Sequence, residues 1–288
     1  MGLSPNQYDH DVNRVALVTG ATQGLGLALV DALAARLDGE DTVYLTGRNP
    51  ARTDAARGSL TSPRARVITE LMDVASDEAV METAASLAER HGSLDIVISN
   101  AYSRVLPKDR PAEVIDDYVA TNNLGTTRVL RAFAPILSDG GTLLVIASIL
   151  GTLHYLAPVL HERFDELTTL EDVDAAVVHW REAVKDGSAF AEAWPAFINI
   201  PSKIGQVSAV RTLARLRRES DLERGILLAS VSPGMIDTGA SRPWFDMSTA
   251  QTPAEAAVPL VDLVLRSSLD QSMYGELVGP GRVFPWKP

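Results

Sequence analysis

The sequence predicts an α/β fold built on a doubly wound parallel sheet, and its hydrophobic pattern carries this prediction. Short, wholly apolar runs such as Val15–Val18 recur along the chain, and stretches with apolar residues at helical spacing, first over 25–37, separate them. Strands that are apolar on both faces belong to a parallel sheet covered by helices on each side, because every crossover must return over the sheet.

Six strands follow from this pattern. They are predicted at 15–18, 42–46, 65–69, 94–99, 142–147 and 226–231. Residues 152–198 break the alternation. They lie between the fifth strand and a helix that begins near Lys203, and this segment is longer than an ordinary connection. This insertion contains large aromatic residues and helical stretches, so we expect it to be ordered and packed. We therefore predict a single domain over 1–288 with one long helical insertion before the late helix.

The composition excludes several classes of function. The 26 Lys+Arg against 37 Asp+Glu give a net charge of −11, which disfavours nucleic acid and anionic membranes as partners. The absence of cysteine rules out disulfides, thiolate zinc sites and a thiol nucleophile, and the five histidines have no spacing suited to a metal. Residues 1–6 carry neither a secretory core nor a myristoylation pattern, and the apolar runs are too short to span a bilayer, so we expect a cytoplasmic protein.

A glycine-rich turn joins the first strand to the first helix. It reads Thr-Gly-Ala-Thr-Gln-Gly-Leu-Gly over 19–26, where backbone N–H groups and the helix dipole can bind a pyrophosphate. Gly20 permits the tight turn, Gly24 lets phosphate approach the backbone, and Gly26 lets the helix pack near the sheet. The strand before the turn and the helix after it favour Rossmann-type dinucleotide binding over an ordinary helix entry.

Six motifs, in order along the chain, resemble those of the short-chain dehydrogenase/reductase family. They lie at 19–26, 73–74, 100–101, 122–125, 148–151 and 233–238. Ser99 and Tyr102 depart from the family's Asn-Asn-Ala-Gly motif. The cofactor contacts that the resemblance implies are Gly20, Thr22, Gln23, Gly24, Leu25, Gly26, Asp73, Val74, Asn100, Ala101, Lys203, Pro233, Gly234 and Thr238.

The end of the second strand predicts which cofactor is bound. Arg48 stands where an acidic residue would accept the ribose hydroxyls of NAD, and Arg52 lies one helical turn beyond it. A guanidinium there pairs with a 2′-phosphate, so we expect NADP(H). The alternative is a solvated pair of surface arginines.

The catalytic residues of the family are incomplete in this chain. The resemblance matches Ser148 to the serine that binds the substrate carbonyl, Asn122 to the asparagine that organises water, and Lys203 to the lysine that holds the nicotinamide ribose. The family tyrosine, four positions before the lysine, is replaced by Asn199, whose carboxamide is no proton donor near neutral pH. Asn199 either packs locally or donates an N–H to the substrate oxygen.

A missing general acid lowers the rate by about 10²–10⁴-fold. Orienting the hydride donor and the carbonyl can lower the activation free energy by up to about 7–11 kcal/mol, which can offset this loss. Water, Ser148 and the substrate are then the candidate proton sources. Our sharper hypothesis is substrate assistance, in which a phenol or enol hydroxyl beside the ketone relays its own proton. It requires that no tyrosine from elsewhere in the fold reaches the vacant position.

The insertion is similar in length to that of the monomeric carbonyl reductases, which implies a monomer. Aromatic residues cluster within and after it, and they either anchor the insertion or form walls for a flat ligand. We expect residues 152–198 to form part of the substrate pocket or a lid. The predicted substrate contacts are Tyr102, Trp194, Phe197, Trp244 and Phe245.

The sequence therefore predicts an NADPH-dependent ketoreductase for a polycyclic aromatic polyketide in antibiotic biosynthesis. The missing tyrosine and the insertion resemble an atypical, carbonyl-reductase-like subgroup that acts on angucyclinones. Two alternatives stay open. One is a non-catalytic NADP(H)-binding sensor, and the other is an enzyme of the same fold that catalyses dehydration, epimerisation or cyclisation.

Overall fold

The computed structural model describes residues 13–288, so the prediction about residues 1–6 lies outside it. The strands are β1 Val15–Val18, β2 Thr42–Gly47, β3 Arg66–Leu71, β4 Leu94–Ser99, β5 Leu137–Ile146, β6 Leu227–Val231, β7 Leu277–Gly279 and β8 Arg282–Phe284. They form one sheet in the order β3-β2-β1-β4-β5-β6-β7-β8. All neighbouring pairs are parallel except β7 with β8. The predicted doubly wound parallel sheet is confirmed.

Helices cover both faces of this sheet. They are α1 Gly24–Arg36, α2 Pro50–Gly58, α3 Asp77–His91, α4 Pro111–Val119, α5 Gly125–Phe133, α6 Leu170–Asp186, α7 Asn199–Glu223 and α8 Pro253–Val264. A π-helical turn, Ala120–Leu124, joins α4 to α5. Among the described residues, no helix combines the length and the apolar character needed to cross a membrane.

The first strand shows why its sequence is wholly apolar. Ala16 and Val18 pack into the layer that contains α1 and α8, whereas Val15 and Leu17 pack into the layer that contains α3, α5 and α7. All four side chains are buried. Because successive side chains of a strand point to opposite faces, a strand between two helical layers has no polar side.

The six predicted strands are confirmed, with differences at their ends. The fifth begins at Leu137 rather than at residue 142, because it continues through a glycine pair. The short strands β7 and β8 were not predicted, since three residues each are too few to show a hydrophobic period.

The insertion over 152–198 is ordered and packed, as expected. It contains two short 3₁₀ segments and α6, which packs against α4 and α7. Trp180 on α6 is fully buried in an apolar cluster that also includes Phe164 and Ile204. The assignment of 1–288 to a single domain stays a prediction.

The strand order reverses between β1 and β4, and the crevice that opens there lies at the carboxyl ends of the strands. Gly26 sits at this crevice. A Cβ atom at Gly26 would lie 2.6 Å from the carbonyl oxygen of Gly20 and would also contact Nδ2 of Asn100. Only glycine lets α1 approach the sheet this closely.

We therefore expect Gly26→Ala to lower the free energy of unfolding by about 1–3 kcal/mol, because the new methyl group overpacks the crevice. Gly58→Ala is the matched control, since a Cβ there meets nothing within 4 Å. Urea denaturation of the two variants and the wild type measures the difference. Equal stability of both variants would contradict this packing argument.

Candidate functional site: a dinucleotide cleft and an aromatic cavity

A cleft crosses the crevice between β1 and β4, and hydrogen bonds fix its floor. Oγ1 of Thr19 accepts the backbone N–H groups of Asn100 and Ala101, both at 2.9 Å. Nδ2 of Asn100 donates to the carbonyl oxygen of Gly20 at 3.3 Å. Gly20 has a φ of +63°, and a Cβ there would lie 2.6 Å from Cα of Ala101, so this turn requires glycine.

The start of α1 is open to an anion. Gln23 precedes the helix without a side-chain capping bond, and the first turn contains no acidic residue. Gly24, with a φ of +56°, begins the helix and brings its free N–H groups to the cleft. These groups and the helix dipole suit a phosphate.

The ends of β2 and β3 form one end of the cleft. Nη1 of Arg48 lies 3.8 Å from Oδ2 of Asp73, but the Arg48 side chain is 73% exposed, so this ion pair is weak. Asn49 accepts the N–H of Arg52 at 3.0 Å and so fixes the start of α2. The predicted cofactor residues that line this end are Gly20, Thr22, Gln23, Arg48, Arg52, Asp73, Val74 and Ala101. We call the whole groove from Arg48 to Thr238 the dinucleotide cleft.

A third arginine lies on the dinucleotide cleft, and sequence analysis missed it. Nη1 of Arg104 donates to the carbonyl oxygen of Gly239 at 3.4 Å, across the mouth of the cleft. Arg48, Arg52 and Arg104 border a cavity of about 480 Å³, and none of the described residues that line it is acidic. In a chain of charge −11, this cluster makes a local positive potential suited to phosphates. Arg104 lies in a loop outside any motif, so no pattern pointed to it.

Lys203 is buried in the floor next to the cleft. Its Nζ donates to the carbonyl oxygen of Ile146 at 3.1 Å and to Oε1 of Gln206 at 2.8 Å. No carboxylate is among these partners, and burial lowers the pKa of Lys203 to about 7. Gln206, a second residue that sequence analysis missed, therefore helps to hold the amine in place.

Ser148 lies at the end of β5 with its side chain on the same side as Lys203. Its Oγ accepts only the N–H of Leu150, at 3.3 Å, among the bonds of the described residues. The hydroxyl hydrogen is therefore available to a ligand oxygen. Both Ser148 and Lys203 line one cavity, together with Asn199.

Asn199 is the first residue of α7, and two tyrosine hydroxyls donate to its Oδ1. The donor–acceptor distances are 3.0 Å from Tyr118 and 3.4 Å from Tyr102. The two hydroxyl oxygens lie 3.3 Å apart. The expectation that no tyrosine from elsewhere reaches this position is therefore wrong, because α4 and the loop after β4 each bring one. Tyr118 was missed, since inside a helix it has the pattern of an ordinary core residue.

The aromatic cavity has a volume of about 380 Å³. The Phe197 and Trp244 ring centroids lie 4.9 Å apart, and the Phe197 and Phe245 centroids 6.5 Å apart. Lys203 is the only charged residue among the described residues that line it. The predicted site residues that line the aromatic cavity are Leu25, Tyr102, Ser148, Phe197, Asn199, Lys203, Pro233, Gly234, Thr238, Trp244 and Phe245.

Trp194 does not line the aromatic cavity, contrary to the prediction. It is 4% exposed and packs against Phe164 and Trp180, with ring centroids at 6.1 and 6.3 Å. Trp194 anchors the insertion instead, which was the alternative to a role in the ligand wall.

Asn122 also lies off the cavity. Its side chain accepts the N–H of Ser103 at 2.7 Å and donates to that residue's carbonyl oxygen at 3.0 Å. Asn122 thus supports the loop that carries Tyr102.

Within residues 13–288, no three potential ligand side chains lie close enough to hold a metal ion.

Comparisons with known proteins agree with this geometry. The family model described as short chain dehydrogenase matches residues 14–159. Carbonyl reductase [NADPH] 1 of Macaca fascicularis is 30% identical over 281 residues, which cover 95% of this chain and 98% of the relative. The human protein of the same name is 28% identical over 280 residues, covering 94% and 98%.

Two solved structures share the fold. Menthone neomenthol reductase from Mentha piperita superposes with a TM-score of 0.70 at 22% identity, covering 93% of this chain and 98% of that one. A short chain dehydrogenase from Burkholderia cenocepacia in complex with NADP gives a TM-score of 0.63 at 22% identity, covering 93% and 95%.

Replacing Arg48 tests the assignment of the phosphate-binding end. We expect Arg48→Ala to raise the Kd of NADPH by about 10–100-fold, because charge-assisted hydrogen bonds to the 2′-phosphate are lost, and to leave NADH almost unaffected. Fluorescence titration of both cofactors measures the two constants. Arg57→Ala is the matched control, since Arg57 is exposed on α2, the helix that follows Arg48, but does not line the cleft. Equal losses for NADPH and NADH would defeat the assignment.

The lowered pKa of Lys203 predicts a pH dependence of stability in the cofactor-free protein. Between about pH 7 and pH 10.5 the unfolded lysine binds a proton that the folded one does not, so wild-type stability falls as pH is lowered through this window. The stability of Lys203→Met relative to wild type should therefore rise as pH falls, by at most about 1.4 kcal/mol per unit, and level off below pH 7. Denaturant titrations at constant ionic strength measure this slope.

Lys108→Met controls for the loss of an exposed lysine. A difference between Lys203→Met and wild type that stays constant from pH 7 to pH 10 would show that Lys203 remains charged when folded.

Proposed function

Because the chain belongs to the short-chain dehydrogenase family, as an NADPH-dependent oxidoreductase, we propose that it reduces a ketone of a polycyclic aromatic polyketide, such as an angucyclinone, in antibiotic biosynthesis. The observation that carries this proposal is the aromatic cavity, which meets the dinucleotide cleft at Tyr102. The similarity to proteins named carbonyl reductase [NADPH] supports the reaction type.

The residues that form the wall of the aromatic cavity favour a flat, apolar ligand. Phe197, Trp244 and Phe245 present ring surface, and Nε1 of Trp244 donates to the carbonyl oxygen of Val105 at 2.9 Å, which fixes the indole. Rings held in this way gain by stacking on an aromatic ligand beyond simple burial. Lys203 is the only charged side chain among the described residues of the cavity wall, so a carboxylate-free, uncharged polycycle suits the cavity better than a charged metabolite.

The residues of the dinucleotide cleft fit NADP(H). The glycine turn and the start of α1 would hold the pyrophosphate, Arg48 and Arg52 the 2′-phosphate, and Lys203 the nicotinamide ribose. When bound, the reduced nicotinamide supplies a hydride. The free hydroxyl hydrogen of Ser148 would then orient the substrate carbonyl.

The combination of Asn199 with the insertion resembles the atypical ketoreductase of simocyclinone biosynthesis, and this resemblance suggests the angucyclinone. The hypothesis of substrate-assisted protonation requires that no tyrosine hydroxyl lies near residue 199. Since two tyrosine hydroxyls reach that position, a proton from the substrate is an alternative route rather than a necessity.

We further propose that the protein is a cytoplasmic monomer. The insertion supports the monomeric state, because α6 packs against α7 and covers part of the helix on which Lys203 lies. A covered helix is unavailable as an interface with a second copy.

The test is turnover of a polycyclic aromatic ketone with NADPH. We expect NADPH oxidation and alcohol formation in equal molar amounts. Phe245→Ala should raise KM for this ketone by about 2–12-fold with kcat little changed, because a stacking contact worth about 0.5–1.5 kcal/mol is lost. Phe190→Ala is the matched control, since Phe190 is 91% exposed and does not line the cavity.

Two outcomes would overturn the proposal. Tight NADPH binding without oxidation across a broad panel of ketones would identify a sensor. Conversion of the ketone without net NADPH oxidation would identify a dehydratase, epimerase or cyclase.

A further inference from the structure

The hydrogen bonds around Asn199 bring together three groups from distant parts of the chain. Tyr102 follows β4, Tyr118 lies on α4, and Asn199 begins α7. Both phenols donate to the same carboxamide oxygen, and their hydroxyl oxygens lie within 3.3 Å of each other. The only proton donors in this set that can ionise are therefore the two phenols, since a carboxamide does not release a proton in water.

Exposure distinguishes the two phenols. Tyr118 is 1% exposed and lines neither the dinucleotide cleft nor the aromatic cavity, whereas Tyr102 is 38% exposed and lines both. A ligand in the aromatic cavity can touch Tyr102 but not Tyr118. Tyr102 also shares the cavity wall with Ser148, whose hydroxyl hydrogen is free.

The surroundings of Tyr102 suit a phenol that passes through an ionised state. Nζ of Lys203 lies 5.3 Å from the centroid of the Tyr102 ring, so a protonated Lys203 stabilises negative charge on that residue. Burial raises the pKa of Tyr102, which keeps its proton on at neutral pH until a stronger base, such as a forming alkoxide, takes it.

We propose that Tyr102 is the catalytic proton donor of the ketone reduction, in place of the tyrosine that position 199 lacks, and that Tyr118 and Asn199 position its hydroxyl. This inference rests on the proposed function, because it assigns the acid for that reaction. It places the acid on the loop after β4 instead of on α7.

A reduced nicotinamide held in the dinucleotide cleft would supply a hydride, a hydrogen with both bonding electrons, to the carbonyl carbon and would itself be left oxidised. The π electron pair of the carbonyl moves to its oxygen, which removes the phenolic proton of Tyr102, so that an alcohol and a Tyr102 phenolate form. Tyr118 keeps its hydrogen bond to Asn199, and Tyr102 regains a proton from water once the alcohol leaves, since Tyr102 is partly exposed.

The test compares Tyr102→Phe with wild type in single-turnover reduction of the polycyclic ketone. We expect the rate to fall by about 10²-fold or more, because the general acid is lost. Tyr155→Phe is the matched control, since Tyr155 is similarly exposed, at 40%, but lines neither site, and its rate should equal that of wild type. Wild-type turnover itself tests the proposed function separately.

A second readout does not depend on turnover. In the complex with NADP⁺ and an isotope-labelled ketone, a Tyr102 hydrogen bond should shift the carbonyl infrared band to lower frequency, and Tyr102→Phe should abolish much of this shift. Tyr118→Phe should reduce it in part, because the positioning bond is lost while the donor remains. Retained NADPH affinity shows that each variant is folded.

A wild-type rate in Tyr102→Phe, or an unchanged carbonyl band, would overturn the proposal. A third outcome would also overturn the proposal. If Tyr102→Phe reduces a ketone with a neighbouring free hydroxyl at the wild-type rate, and reduces the methylated form of that substrate slowly, the substrate is the acid. A slow Tyr102→Phe variant with both the free and the methylated substrate supports Tyr102.

Discussion

The contact between the first turn and the loop after β4 is the constraint on which the site depends. Thr19 accepts two backbone amides of that loop, and Gly20 lies so close to Ala101 that no side chain fits between them. The same contact fixes the start of α1 on one side and places Tyr102, the next residue of the loop, on the other. One rigid joint between two strand ends therefore sets the position of the phosphate-binding amides relative to the aromatic cavity.

Lys203, on α7, shows how stability and function compete at the site. Burial of an amine without a carboxylate partner is unfavourable, and two neutral acceptors, Ile146 and Gln206, offset only part of the cost. A carboxylate in their place would keep the lysine charged but would repel the phosphates of a dinucleotide. The neutral partners occupy two donor positions of the Lys203 amine and leave a third for the ribose that the proposed function assigns to it, at the cost of a less stable cofactor-free state.

The sequence was sufficient for the first six strands of the sheet and for most residues that line the dinucleotide cleft, because both follow from local patterns. A buried parallel strand is apolar throughout, and a glycine turn is recognisable from its neighbours. The contact between Tyr102 and Asn199 joins residues 97 positions apart and depends on how a loop packs, which no local pattern encodes. Trp194 and Trp244 illustrate the same limit. Trp194 lies in the core and Trp244 in the cavity wall, and no hydrophobic period around either residue indicates which position it takes.

Asn199 presents a carboxamide oxygen, which is an acceptor, to two tyrosine hydroxyls. The carboxamide oxygen then accepts two phenols, with the shorter bond to Tyr118 and the longer to Tyr102. Since one acceptor serves both, Tyr102 can leave it for a ligand oxygen while Tyr118 still satisfies Asn199, at a cost of no more than about 1 kcal/mol for one neutral hydrogen bond. The exchange would be far costlier if Tyr102 were the only partner, because a half-buried carboxamide oxygen would then lose its hydrogen bond. The second tyrosine is therefore what makes the first one free to move its proton.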